Sequence, residues 1–277
     1  MLTIRHRTTG VPLLELPAER LAGLRLNGQR LSYAELQRAD LREASLLACD
    51  LAQATLRGAD LSDATLFGCD LTDVDLTDAV LDGADLCYAR MPGIQLTGAS
   101  LRRARLMRVV LKFGNLDGAD CDSAVLTGIE LTHGSARGAS LRGAELSEAA
   151  LRYSDLARAE LRFATLANAL LTDVSLRGAD LREASLEYTV FHGCDFTDAR
   201  LDRALLARTV FADCRGLDTV SDRDAVHAVG TSSIDAATLR RCALHDAGAF
   251  LACFERAASA GPDRSRPHAS SADFAPS

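Results

Sequence analysis

Between Leu31 and Phe211 every fifth residue is apolar: of 37 such centres 31 are Leu, and the others are Met91, Cys121, Ala136, Phe191, Phe196 and Phe211. The residue two before each centre is small or β-branched in all 36 cases from Ala34 to Thr209, and 23 of these are Ala. Every charged side chain of this stretch falls on the three remaining positions. A period of five matches neither the 3.6 of an α-helix nor the unbroken alternation of a flat strand. It predicts a short extended piece, in which the centre and the residue two before it point inward, followed by a corner. Corners favour residues that accept a positive φ, and of the 13 Gly between residues 31 and 215, 11 lie two after a centre. The octapeptide ADLREASL stands both at Ala39 to Leu46 and at Ala179 to Leu186, with no insertion breaking the phase between.

Units such as ADLSD, CDLTD, ADLRE and ATLRG resemble the pentapeptide-repeat family, whose consensus is A(D/N)LXX. The resemblance implies an all-β solenoid, a right-handed quadrilateral β-helix with four pentapeptides and about 20 residues per coil. The repeats then make about nine coils, a rod on the order of 40–45 Å long at roughly 4.8 Å per coil. The two octapeptides fall on one face. Each coil buries its Leu and Ala only against its neighbours, so the ends need caps. Residues 1–30 read as a β-hairpin cap (LTIRH, a turn near RTTG, VPLLEL) and a lead-in coil, and residues 31–215 as the β-helix. Residues 216–260 read as a short α-helical C-terminal cap of two helices, the first with Ser as its N-cap in SSIDAATLRRCAL. The second carries apolar residues at helical spacing at Phe250, Leu251 and Phe254. Residues 261–277, rich in Pro, Ser and Ala, read as a disordered tail.

At 277 residues and 48% hydrophobic side chains the chain can bury a long columnar core. It has no apolar run of the roughly 18 residues that span a membrane, and its start lacks the apolar stretch of a signal peptide. A cytoplasmic protein is the expectation. Of the eight Cys, Cys49, Cys69, Cys194 and Cys214 lie in the small inward column and Cys121 at a centre, where Cys serves as a buried hydrophobe. Cys87 is expected to face outward, and Cys242 and Cys253 fall in the cap. No metal set, cofactor motif or nucleophile motif is present, and the six His are scattered, with His133 and His192 at outward positions. An enzyme, a metal or a cofactor is not expected.

The surface carries what remains. On one face Asp40 with Arg42, Glu160 with Arg162 and Asp180 with Arg182 flank the centres and should neutralise one another. On the next face Leu47, Phe67, Cys87 and Met107, with Tyr88 beside them, would stack as an apolar strip that suggests a protein contact. Residues 40 to 85 hold 11 acidic side chains, among them an acidic belt of Asp60, Asp63, Asp70, Asp73, Asp75, Asp78, Asp82 and Asp85. A basic belt of Arg90, Arg102, Arg103, Arg105, Arg108 and Lys112 follows, with no acid from residue 86 to 116.

These features point to a non-enzymatic interaction or scaffold protein with a protein partner. The resemblance implies an alternative, because some members of the family bind bacterial type II topoisomerases such as gyrase by mimicking DNA and protect them from inhibitors. The net charge of −7 agrees with that reading. The few Phe centres, where those members have many, and the basic belt do not, the belt because B-DNA carries one negative charge per roughly 1.7 Å of axis. Direct nucleic-acid binding is disfavoured by the net charge, and a homodimer through the C-terminal cap is a further expectation of the resemblance.

Overall fold

The computed structural model describes residues 1–220, 227–228 and 232–241. Residue pairs 20 apart are joined by parallel bridges from Arg25↔Ser45 to Asp195↔Arg215, so one coil takes 20 residues and four outward columns climb the rod. The first face carries Asp40, Asp60 and Val80, the second Ser45, Thr65 and Asp85, the third Asp50, Asp70 and Arg90, and the fourth Thr55, Asp75 and Gln95. The Leu centres and the Ala column before them are almost wholly shielded, giving a single core along the axis. A fully buried Leu contributes about 2 kcal/mol over an exposed one, and here each is buried by the coil above and the coil below.

The hydrogen bonds explain the consensus. In a unit such as 31–35, the centre N–H donates to the next coil (Leu31 to the Asp50 carbonyl, 2.6 Å), as does the corner N–H (Tyr33 to Ala52, 2.9 Å). The turn closes when the Ala34 N–H donates to the Leu31 carbonyl at 3.0 Å. Every residue two after a centre, from Gly23 to Asp213, has φ between 51° and 70°, and 26 of these are not glycine. The left-handed conformation costs an L-residue about 1 kcal/mol, which the repeated inter-coil bonds offset. One donor remains, the N–H just after the centre. An Asp just before the centre takes it: Oδ1 of Asp50, Asp60, Asp70, Asp75 and Asp85 accepts the N–H two residues on at 3.0 Å. The D of the repeat is therefore a backbone acceptor.

Strands β1 (Leu2–His6) and β2 (Pro12–Leu16) form the expected antiparallel hairpin, and β1 also pairs with β3 (Ala34–Glu35), laying the hairpin over the first coil. His6 stacks on Tyr33 there, with ring centroids 5.1 Å apart. The third face becomes a continuous parallel sheet from β4 (Val110–Lys112) through β5 (Glu130–Thr132), β6 (Ala150–Arg152), β7 (Leu170–Thr172) and β8 (Val190–His192). Past β9 (Leu205–Leu206) on the second face, it continues to β10 (Val210–Ala212). The coil count thus depends on the criterion. The sequence gives about nine coils, full strand pairing spans six, and single bridges join those before Val110.

At the C-terminal end β11 (His227–Ala228) pairs with β9, β12 (Ser233–Ile234) adds to β10, and α1 (Ala236–Arg241) follows. The N-cap is not the expected Ser. Ser233 lies in β12, and Asp235 Oδ1 accepts the Thr238 N–H at 2.7 Å while also accepting from Asp213 at 3.2 Å. The second helix expected around Phe250, Leu251 and Phe254, the cap cysteines Cys242 and Cys253, and the tail 261–277 lie outside the described residues.

Candidate functional site

The strip on the second face is present with one correction. Leu47, Phe67 and Tyr88 are exposed and Met107 is half-buried, but Cys87 is only 2% exposed. It is a short side chain in a column whose neighbours one coil away, Phe67 and Met107, are larger. Burial, and then the Asp85 carboxylate beside it, push the Cys87 thiol up. Phe67 and Tyr88 touch with ring centroids 5.4 Å apart. The inward cysteines are more than filler, because Cys49 and Cys69 donate S–H to the Leu26 and Leu46 carbonyls at 2.9 Å. Full burial pushes the Cys121 thiol up to about 12.

The charge belts separate into structural and free side chains. Asp60, Asp70, Asp75 and Asp85 hold backbone N–H groups as above, and Asp82 accepts from the Arg102 N–H at 3.1 Å and the Ser100 hydroxyl at 2.5 Å. Only Asp63, Asp73 and Asp78 of this belt stand at exposed corners, and Asp78 meets Arg57 at 3.4 Å. Arg90, Arg102, Arg103, Arg105, Arg108 and Lys112 are all exposed. Several pair along the columns, Arg90 with Asp70 at 3.2 Å, Arg102 with Asp120 at 3.5 Å and Arg105 with Asp85 at 3.9 Å. On the first face Asp40–Arg42 (2.8 Å) and Asp180–Arg182 form as expected. Glu160 instead meets Arg142 at 2.5 Å, and Arg162 meets Glu183 at 3.0 Å, because the coil above or below offers a nearer partner than the same unit.

A second apolar surface was not read from the sequence. On the third face the outward column changes from Asp50, Asp70 and Arg90 to Val110, Glu130, Ala150, Leu170, Val190 and Val210. Val110 is 47% and Leu170 36% exposed. Along the adjoining corner Phe113, His133 and Tyr153 stack one per coil, with centroids 5.6 and 5.0 Å apart and planes within 19°. Phe113 and Tyr153 are 58% and 53% exposed, and the Lys112 ammonium lies 5.4 Å from the Phe113 ring. The 20-residue spacing of 113, 133 and 153 was the available signal. His133 appears in the sequence as an isolated surface residue, and only coil stacking makes it the middle of a ladder.

Depressions on the rod are open. One of about 700 Å³ on the first face is lined by Asp82, Arg102, Arg103, Asp122, Arg142 and Phe163, and its carboxylates are largely committed to backbone and Ser groups. Another of about 440 Å³ lies between Tyr88, Ala89, Arg90, Pro92, Arg108 and Val110. Among the described residues there is no group of three or more His, Cys, Asp or Glu side chains placed to hold a metal ion. No helix there is long and apolar enough to cross a membrane.

Comparison with known proteins places this architecture. A family model described as pentapeptide repeats matches in eight segments that together run from residue 20 to 213. Among solved structures, the chain is similar to HetL, a pentapeptide repeat protein involved in heterocyst differentiation regulation from the cyanobacterium Nostoc sp. strain PCC 7120. The identity is 32%, over 67% of this chain and 86% of that one, with a TM-score of 0.53. QnrB1, a plasmid-mediated fluoroquinolone resistance protein, is 19% identical over 69% of this chain and 94% of that one, with a TM-score of 0.43. No curated protein sequence matches the chain. With the repeat model covering most of its length and the corners, columns and coils all in one phase, the chain belongs to the pentapeptide repeat family.

Proposed function

We propose that the protein is a non-enzymatic scaffold that presents the third face of its β-helix to a protein partner. The observation that carries this reading is the change of that face from charged to apolar at Val110, accompanied by the exposed Phe113–His133–Tyr153 ladder. Outward strand positions of a solvated β-helix need no apolar side chains, and a run of them from Ala150 to Val210, separated from Val110 by Glu130 and flanked by aromatics, is the composition of an interface core. The stacked rings are already ordered by the coil repeat, so binding costs little side-chain entropy. The test is affinity capture with the full chain and with a Tyr153→Ser, Leu170→Asp variant. Circular dichroism of the variant should match the wild type while retention of partner proteins falls at least tenfold.

DNA mimicry toward a type II topoisomerase is the second reading, supported by the exposed carboxylates of Asp63, Asp73 and Asp78. Against it stand the use of the other belt carboxylates as backbone acceptors and the column pairs that Arg90 and Arg105 form with them. A gyrase supercoiling assay with purified protein decides it: inhibition at micromolar protein or below, lost on Asp63→Lys, Asp73→Lys substitution, would favour mimicry over the scaffold.

A further inference from the structure

The corner joining the second and third faces has a charge pattern that reverses about its middle. In four successive coils it carries Leu47 and Asp50, then Phe67 and Asp70, then Asp85, Tyr88 and Arg90, then Arg105, Met107, Arg108 and Lys112. The first two coils hold two acids and no base here, and the last two hold four bases and one acid, Asp85, which Arg105 meets at 3.9 Å. Apolar side chains accompany both halves. Phe67 and Leu47 project from the acidic half, and the depression of about 440 Å³ beside Tyr88, Ala89 and Val110 opens in the basic half.

From this we infer that the corner binds a second copy of this chain, antiparallel, about a two-fold axis passing between the Phe67 and Tyr88 coils. A two-fold interface requires a patch that is complementary to itself after rotation, and this corner meets that condition in charge and in shape. Rotation sets Phe67 of one copy at the Tyr88 depression of the other and Leu47 against Met107. It also sets Asp70 facing Arg90, and Asp50 facing Arg108 and Lys112. The Asp70–Arg90 pair, 3.2 Å within one chain, straddles the axis. Two such pairs side by side form an alternating square of four charges, in which each carboxylate gains a second cation. A parallel arrangement would set acid on acid, so the charge pattern selects the antiparallel one. The contact spans about four coils, roughly 15–20 Å at the inter-strand spacing, which makes it a modest interface whose association depends on concentration and weakens with salt.

Sedimentation equilibrium on the full chain tests it. The wild type should show a monomer–dimer equilibrium at low salt. Phe67→Glu should raise the dimer dissociation constant at least tenfold with the fold unchanged by circular dichroism. Two charge-reversed chains make the decisive pair, Asp50→Lys in one and Arg108→Glu, Lys112→Glu in the other. Each alone should dimerise at least tenfold more weakly than the wild type, and an equimolar mixture should form the heterodimer with near wild-type affinity. A chain monomeric at every concentration, or a dimer indifferent to Phe67→Glu and to both charge reversals, overturns the inference, the latter because the contact would then lie elsewhere. Failure here leaves the third-face scaffold reading intact, since that reading rests on Phe113, His133, Tyr153 and Leu170.

Discussion

The coils before Val110 and those after it are written in one five-residue pattern, yet they present different third faces. In the first set the outward residues Asp50 and Asp70 accept the N–H two positions on, and the corner is closed by the Ala54 N–H donating to the Leu51 carbonyl at 2.9 Å. That closing bond lengthens to 3.3 Å at Val74 and 3.4 Å at Ile94, and among the described residues none closes the corners after Leu111, Leu131, Leu151 or Leu171. From there the face is a sheet of three-residue strands. An apolar outward residue does not open a corner by itself, since Val80 and Val125 sit beside closed ones on other faces, with turn bonds of 3.0 Å. Once open, the corner is kept open by its neighbours, because adjacent coils must share a corner shape to keep their ladder in register. The inward code therefore fixes the solenoid, and the third face passes from a row of capped turns to a sheet where its outward column turns apolar and its inward corner column leaves Ala for Val74, Ile94, Gly114 and Gly134.

The comparison breaks most sharply in the core. The later coils add a cluster of Phe191, Phe196 and Phe211 with ring centroids 5.1 to 5.7 Å apart. Phe211→Ala is expected to cost about 3–5 kcal/mol, against about 2–4 kcal/mol for Leu81→Ala in the earlier coils. Urea unfolding midpoints of the two variants measure the difference.

Next in size is Asp195, whose side chain is only 4% exposed and meets Arg215 at 2.9 Å and Arg177 at 3.2 Å. Burial alone would raise this carboxyl, but the Thr197 hydroxyl and N–H together with the two guanidiniums outweigh it and hold the carboxyl below its ordinary value. With the folded value below the unfolded one of about 4, the ionised Asp195 stabilises the fold above that pH. The contribution fades as pH falls through the lower folded value. Asp195→Asn should cost about 1–3 kcal/mol at neutral pH, and its stability should fall less than that of the wild type on acidification below about pH 4. Parallel acid titrations followed by circular dichroism would show equal slopes if the carboxylate were not the cause.

Smaller still is a glycine pair. A Cβ on Gly193 would lie 2.2 Å from Asp173 Oδ1, whereas one on Gly118 meets nothing within 4 Å, and both have φ above +60°. Gly118→Ala should cost about 1 kcal/mol or less, the price of the backbone conformation alone, and Gly193→Ala about 1 kcal/mol more. Equal costs in thermal unfolding would mean that the Asp173 carboxylate moves aside freely.

The core, the corners and the hairpin were legible because each rests on residues that the repeat constrains: Leu and Ala inside, Gly where φ is positive, alternating apolar residues in LTIRH and VPLLEL. The candidate surfaces were legible only in part. Cys87 could not be seen as buried, because its five-residue position is an outward one and its larger column neighbours stand a coil away in the sequence. The acidic belt looked like surface charge, since nothing in the sequence distinguishes a carboxylate turned onto an N–H, as in Asp70, from one turned to solvent, as in Asp73. The third-face sheet was missed because Val110, Leu170 and Val190 are separated by dozens of residues and become a surface only when the coils stack.

The most direct test of the scaffold account is quantitative affinity capture with the wild-type chain beside the Tyr153→Ser, Leu170→Asp variant, both confirmed as folded. The account predicts that a defined protein set is retained by the wild type and depleted at least tenfold by the variant. Retention of the same proteins at the same yield by both chains would contradict it.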